Sequence, residues 1–399
     1  VPVASDSGGE SRRALARAML ILGSVLVAGT ALAGPPQGPD AGAAISNMYL
    51  FEGPNRQRTP LMDGAEMVEL MKKSSTHYVV TEAGGKECSD VAIAEFPGLM
   101  WPAKGGEIPT PTWAVDADGG SFVRPYQQSD AARTLFKQGE ERFLESKYDE
   151  AIVFYRKALS ISPHDYLALL ALGDCAFRQG FLTDALELYQ RAEAEDPADS
   201  RSYFFQATIF TAQGQVERAL DAYADALVRS PRRVTLHQGI QARSKQLGVT
   251  IADERFHPLT LARRKGDTIQ ICIASPTPHW IAYGLCKAIW LGEPDHRRAL
   301  SGSTELRFDS TAEWECLANL LARYRAERKA GETPPEPELE RLDAVVEANM
   351  SDEFILFELA TRVVPQAALL VSSDTRRRLK AYVRRFLLER TTGGADAGP

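Results

Sequence analysis

The chain's centre repeats itself every 34 residues, and this constrains its fold more than any other feature. Windows 132–165, 166–199 and 200–233 align without a gap. Position 32 of each window is proline (Pro163, Pro197, Pro231), and position 20 is alanine (Ala151, Ala185, Ala219). Position 24 is tyrosine (Tyr155, Tyr189, Tyr223), position 27 is alanine (Ala158, Ala192, Ala226), and position 8 is Gly139, Gly173 or Ala207. Small side chains at 8, 20 and 27 let two antiparallel helices approach closely, while the tyrosine fills the space between neighbouring hairpins. Proline at 32 ends the second helix, because its ring cannot continue the hydrogen-bond ladder. Gly180 and Gly214, at position 15, fall in the turn between the helices, and Ser146 departs from them in the first repeat. One such hairpin cannot bury its apolar face alone, whereas three stacked hairpins begin to. Val234 to Leu247 continues the register as a capping helix with Leu236 and Ile240 inward, and Gly248 is its stop.

This pattern resembles the tetratricopeptide repeat. The resemblance implies that the first helix of each hairpin, helix A, lines a concave groove through positions 2, 5, 9, 12 and 13. Repeat 1 then offers Arg133, Phe136, Glu140, Phe143 and Leu144. Repeat 2 offers Leu167, Leu170, Asp174, Phe177 and Arg178, and repeat 3 offers Arg201, Phe204, Thr208, Thr211 and Ala212. Phe136, Phe143, Phe177 and Phe204 would anchor a partner, with Glu140, Asp174 and Arg201 setting polarity. The clamp that holds acidic chaperone tails in this family wants Lys and Asn where this chain has Phe136 and Glu140, and a cation where it has Phe205. Acidic tails are therefore not the expected ligand. Exposed aromatics need a cover. It is either a partner's helix or extended segment, or the chain's own flanks.

Residues 1–33 read as an export signal. Arg12, Arg13 and Arg17 precede an uncharged apolar run from Ala18, which ends in Ala31-Leu32-Ala33. The run is short for a spanning helix. The alternatives are an uncleaved inner-membrane anchor or a misread start, since the chain begins with Val1; Ser11-Arg12-Arg13 also resembles a twin-arginine signal. The expected address is periplasmic or secreted. Lys and Arg number 46 against 53 Asp and Glu in the full chain, a net charge of -7. An acidic balance argues against a nucleic-acid binder. Five cysteines in an oxidising compartment mean that at least one stays free or pairs between chains. Cys272 and Cys286 are the nearest pair and the candidate bond, and Cys175 sits on an inward helix position.

The flanks carry weaker patterns. Residues 34–125 read as a linker and a small irregular segment. It includes a helix over 65–73, a strand at His77–Thr81, a second possible strand at Val91–Phe96, and a proline- and glycine-rich stretch with Trp101 and Trp113 that could pack on the groove. Residues 255–390 read as a mostly helical domain: a strand over 267–274 with Ile269, Ile271 and Ile273 on one face, then helices over 279–291, 311–328, 338–350, 352–371 and 374–389. Pro365 should kink or divide the fourth of these helices. The last, carrying Arg376, Arg377, Arg378, Lys380, Arg384 and Arg385, is either the end of a bundle or a contact for an anionic membrane or an acidic partner. The tail 391–399 is small and polar.

No nucleophile elbow, phosphate loop or zinc signature is present, and no cofactor or metal is expected. His257, His279 and His296 lie near Cys272 and Cys286 in sequence, so a Cys/His site in the C-terminal domain is the enzymatic alternative. The favoured reading is a mainly α protein with three hairpins and a cap, followed by a mostly helical domain. It would be exported to a bacterial envelope and act as a non-catalytic scaffold for a protein or peptide partner.

Overall fold

A computed structural model of the chain describes residues 48–49, 62–86, 88–115, 121–251 and 256–390. The expected signal, most of the linker and the tail fall outside these residues. The fold is mainly helical, and no helix among the described residues is long and apolar enough to cross a membrane. The chain divides into two compact units, one holding residues 108–251 with the C-terminal strand, the other residues 39–107 with 252–387.

The first unit is built on the repeat. Helices A span Asp130–Leu144, Tyr166–Gln179 and Ser200–Ala212, and helices B span Tyr148–Ile161, Leu182–Glu195 and Val216–Arg229. All six alanines at positions 20 and 27 and all three tyrosines at position 24 are buried. Each of the first two tyrosines lies against the glycine of its own helix A as well as facing the next hairpin. A Cβ on Gly173 would meet the Tyr189 ring at 2.4 Å, and one on Gly139 would meet Tyr155 equally closely. Gly173→Ala is therefore expected to lower the stability of this unit by about 1–3 kcal/mol through overpacking, measurable by urea denaturation. Gly180 and Gly214 adopt positive φ in the A–B turn, and Ser146 adopts φ 61° at the equivalent place. The repeat thus imposes its turn even where glycine is missing. The cap is broken into Val234–Gln241 and Ser244–Leu247 rather than one helix, with Gly248 left-handed at its end. Gly239 explains its close seating, since a Cβ there would meet the Phe204 ring at 2.6 Å.

A hairpin, Pro111–Val115 with Ser121–Pro125, precedes the repeats. With its neighbouring residues it hooks three successive inter-repeat turns. Gln128 donates to Asp165 (2.8 Å), Thr112 hydrogen-bonds Asp196, and the Pro109 carbonyl accepts from Arg233 (3.0 Å). Tyr126 stands edge-on to Tyr166, ring centroids 4.6 Å apart. The chain's own N-terminal flank thus straps the edge where helices A begin. The last described residues, Leu388–Arg390, pair antiparallel with Val249–Ile251 just beyond the cap.

The second unit centres on Thr268–Ile273, which pairs parallel with His77–Glu82 and antiparallel with Thr260–Lys265. The described residues from 62 to 125 divide between the two units at residue 107. Part of them completes this sheet and part straps the repeats. The pairing joins strands nearly two hundred residues apart, which no local pattern reveals. Ile269, Ile271 and Ile273 pack with Ala288 of the helix Pro278–Gly292. The opposite face carries Cys272 and Leu261 against Cys88, Val91 and Phe96. This alternation overturns the expected Cys272–Cys286 bond: Cys272 points away from the helix that bears Cys286. The disulfides are Cys88–Cys272 and Cys286–Cys316, and Cys175 is free and buried.

The expected strand at Val91–Phe96 is instead a 3-10 turn, Ile93–Glu95, leading into the short helix Phe96–Met100. Glu95 accepts from the Ala92 amide and Pro97 sits in the helix's first turn, both helix-starting features. The helix expected over 352–371 is broken into Ser351–Phe354, a π-turn at Ile355–Ala360 and Thr361–Val363, ending before Pro365. The basic helix Ser373–Phe386 buries Leu379, Tyr382, Val383 and Phe386. Its apolar face is core, and Arg378 pairs with Glu353 at 2.6 Å.

Candidate functional site

The candidate site is the face presented by helices A, where positions 5, 9, 12 and 13 recur. The structure sorts the expected residues by burial. Arg133 is exposed, Phe136, Glu140, Asp174 and Arg201 are half-buried, and Phe143, Leu170, Phe177, Phe204 and Thr208 are buried. Three of the four phenylalanines expected at the surface are therefore largely inside. Phe143 (9% exposed) packs on Tyr148, and Phe177 (9%) belongs to the core of the second hairpin. Phe204 (4%) lies between Phe205 and Tyr223 and beneath the cap. Phe136, its ring 5.5 Å from that of Tyr155, keeps an open edge. A phenylalanine at positions 5 and 12 reads the same in sequence whether the next hairpin covers it or not. A glutamate at Phe143 or Phe177 would put a charge into packed surface. Those substitutions would report on folding rather than on binding.

Arg133 and Leu144 are exposed, and between them and the core runs a half-buried stripe over repeats 1 and 2: Phe136, Glu140, Leu167, Asp174 and Arg178. Its polar groups are tied to the repeat's own tyrosines. Tyr155 donates to Glu140 (2.5 Å), Tyr189 donates to Asp174 (2.7 Å), and in repeat 3 Tyr223 meets Thr208 at 3.5 Å. Position 24 thus holds position 9, a link the sequence contained but that periodicity alone did not reveal. Burial raises the Glu140 carboxyl against the opposing pull of the Tyr155 hydrogen bond and the Arg201 charge. Burial, with the nearby Glu140 charge, pushes Asp174 up to about 7 despite the Tyr189 hydrogen bond. The Cys175 thiol behind them is pushed up to about 12 by burial and the same two carboxylates, so it is no nucleophile.

Arg201 does not face the groove as a free cation. Its guanidinium donates to Asp199 (2.7–3.1 Å) and to the Tyr166 hydroxyl (3.4 Å). Burial acts to raise Asp199, but the Arg201 charge and its hydrogen bonds outweigh it and hold the carboxyl below its ordinary value. Asp199 and Tyr166 are partners that sequence reasoning missed. The signal available was an aspartate at position 34 in repeats 1 and 2, Asp165 and Asp199, each capping the helix A that follows.

A testable consequence follows from Asp174. A carboxyl raised in the folded state favours folding below its unfolded value near 4, and that contribution is lost as pH rises through about 7. Asp174→Asn removes the penalty while keeping an acceptor for Tyr189. Relative to the unmodified chain, the variant should gain roughly 2 kcal/mol in stability between about pH 5 and pH 8, read from parallel denaturation curves.

The Cys/His alternative loses its thiols, since Cys272, Cys286 and Cys316 are all in disulfides. His279 is held between Glu327 and Glu336 (2.7 and 2.8 Å), and His296 contacts Glu315 (3.1 Å). Among the described residues no group of three or more His, Cys, Asp or Glu is placed to hold a metal ion.

With this geometry in place, the comparisons agree on the class. Residues 142–209 match the tetratricopeptide repeat family, so the chain carries a tetratricopeptide-repeat domain. Hsp70-Hsp90 organizing protein 1 of Glycine max is 25% identical over 134 residues, 34% of this chain and 23% of its own length. Superkiller protein 3 of Schizosaccharomyces pombe is 37% identical over 84 residues, 21% of this chain and 6% of its own. This chain thus spans less than a quarter of the length of the curated relatives it matches. Among solved structures, the first TPR of Spaghetti (RPAP3) bound to the HSP90 peptide SRMEEVD is 24% identical, over 30% of this chain and 94% of that one, with a TM-score of 0.28. The Yersinia enterocolitica secretion chaperone SycD, in complex with a peptide of the translocator YopD, is 19% identical over 30% of this chain and 91% of that one, also with a TM-score of 0.28.

Proposed function

We propose that this chain is an exported, non-catalytic scaffold of a bacterial cell envelope that holds a protein or peptide segment against its helix-A face. The observation that carries the reading is the half-buried stripe of Phe136, Glu140, Leu167, Asp174 and Arg178, two apolar side chains interleaved with three charged ones on successive helices A. Among the described residues of the strap, Gln128, Tyr126 and Thr112 meet the edge of this face at Asp165, Tyr166 and Asp196. Export is supported by the arginine-then-apolar N-terminus and by two disulfides, which persist in oxidising compartments. Two carboxylates at position 9 disfavour an acidic tail of the kind bound to the RPAP3 domain. They suit an apolar segment that brings hydrogen-bond donors.

Photo-crosslinking amino acids at 133, 167 and 178 on helices A, compared with Val153 and Glu187 on helices B, test the proposal in the native envelope. A partner crosslinked from the A positions alone, and lost about tenfold in Arg133→Glu with Arg178→Glu at unchanged melting temperature, is the expected result. Equal labelling from both faces, or capture indifferent to the double charge reversal, would overturn it.

A further inference from the structure

The second unit contains a cavity of about 430 Å³ that the scaffold reading does not use, within the size range of small-molecule sites. Its lining brings together charged groups of both signs, Glu313, Arg264 and Arg297 among them. The Glu313 side chain is 5% exposed. Oε1 of Glu313 accepts from Lys287 Nζ at 2.6 Å and from Trp101 Nε1 at 3.1 Å, while Oε2, equally buried, has no donor. An unsatisfied buried carboxylate oxygen costs about 1–3 kcal/mol or more, so it calls for a partner. Arg264 and Arg297, also in the lining, converge on one acceptor, the Leu291 carbonyl, at 2.8 and 3.2 Å. Arg297 also donates to the carbonyls of Trp290 and Thr304.

The end of the helix Pro278–Gly292 accounts for one cation there. It does not account for two side by side. Glu293 is engaged by Ser74 and Tyr78, and among the described residues neither guanidinium reaches a carboxylate at ion-pair distance. Trp101 and Trp290 line the same cavity.

We propose that this cavity binds an amphipathic organic anion, its acidic group against Arg264 and Arg297, its apolar body between Trp101 and Trp290, and an N–H or O–H donor on Glu313 Oε2. The neighbouring charges support this placement of the acidic group: burial and the charge of Arg264 together hold Arg297 below its ordinary value, a cost that a bound anion would relieve. The inference is independent of what the repeats bind.

The probe is 8-anilinonaphthalene-1-sulfonate, which carries an anion, an aromatic body and an N–H donor. Its neutral counterpart N-phenyl-1-naphthylamine lacks only the sulfonate. Binding to the full chain is read by energy transfer from tryptophan. One sulfonate probe per chain, held about tenfold more tightly than the neutral one and weakened at about 1 M salt, is the expected result. Arg264 is exposed and bonds a single carbonyl, so Arg264→Gln should remove the tenfold preference without moving the melting temperature. Equal affinity for the two probes would overturn the proposal. So would indifference to Arg264→Gln, or loss of the probe in the Arg133→Glu, Arg178→Glu variant, which would place it in the repeats.

Discussion

Replacing Asp199 with alanine is expected to destabilise the repeat unit by about 2–4 kcal/mol, since it removes a helix cap and leaves a half-buried cation without its partner. Asp199 is fully buried and does three things at once. It caps the helix Ser200–Ala212 by accepting from the Arg201 amide at 2.8 Å. It accepts from the Tyr166 hydroxyl at 3.0 Å, tying repeat 3 to repeat 2. It also neutralises the Arg201 guanidinium. Alanine abolishes all three and leaves the buried Tyr166 hydroxyl and the half-buried Arg201 guanidinium without this acceptor. Asp199→Asn keeps the cap and an acceptor for Tyr166, and should fall between the two. Arg201→Met in the alanine background removes the stranded charge and should restore part of the loss, a coupling that a double-mutant cycle in urea would read. Additive effects would mean that the pair is not the unit described here.

Removing the Cys88–Cys272 disulfide should have an effect of similar size in the other unit. The bond closes a loop of 184 residues. Chain entropy alone assigns such a closure about 5 kcal/mol, although the folded repeats lie within the loop and shorten its effective length. Its sulfurs also sit in the core under the sheet, with Leu261, Val91 and Phe96. Cys88→Ala with Cys272→Ala is therefore expected to lower the melting transition of the second unit by several degrees and leave that of the repeats in place, as separate calorimetric components. A single transition that shifts as a whole would show that the two units unfold together.

The hairpins, their turns and the cap were legible from residues alone, because each repeat solves a local problem in the same way. Small residues at 8, 20 and 27, a tyrosine at 24 and a proline at 32 constrain neighbours within a few turns of helix, and three copies average out the exceptions. Ser146 shows the strength of this consensus, taking the left-handed turn that glycine takes in the other two repeats. The candidate site was only half legible. Periodicity puts Glu140, Asp174 and Arg201 at groove positions of successive helices A, yet it does not reveal that Arg201 is tied to Asp199, nor distinguish Phe136, which keeps an open edge, from Phe143 and Phe177, which do not. The difference lies in tertiary packing: Phe143 stands against Tyr148, and Phe177 joins the core of the second hairpin.

The second unit shows where such reading stops. Alternation in Thr268–Ile273 announced a strand, but not that His77–Glu82 would lie beside it, nor that Cys272 would turn from Cys286 toward Cys88. The cavity beside Glu313 likewise gathers Trp101, Arg264 and Arg297 from three distant stretches of chain. Local pattern was enough for the repeats because their contacts are between near neighbours and recur every 34 residues. Strand partners, disulfides and the cavity needed the folded chain, because they join residues whose separation leaves no period to read.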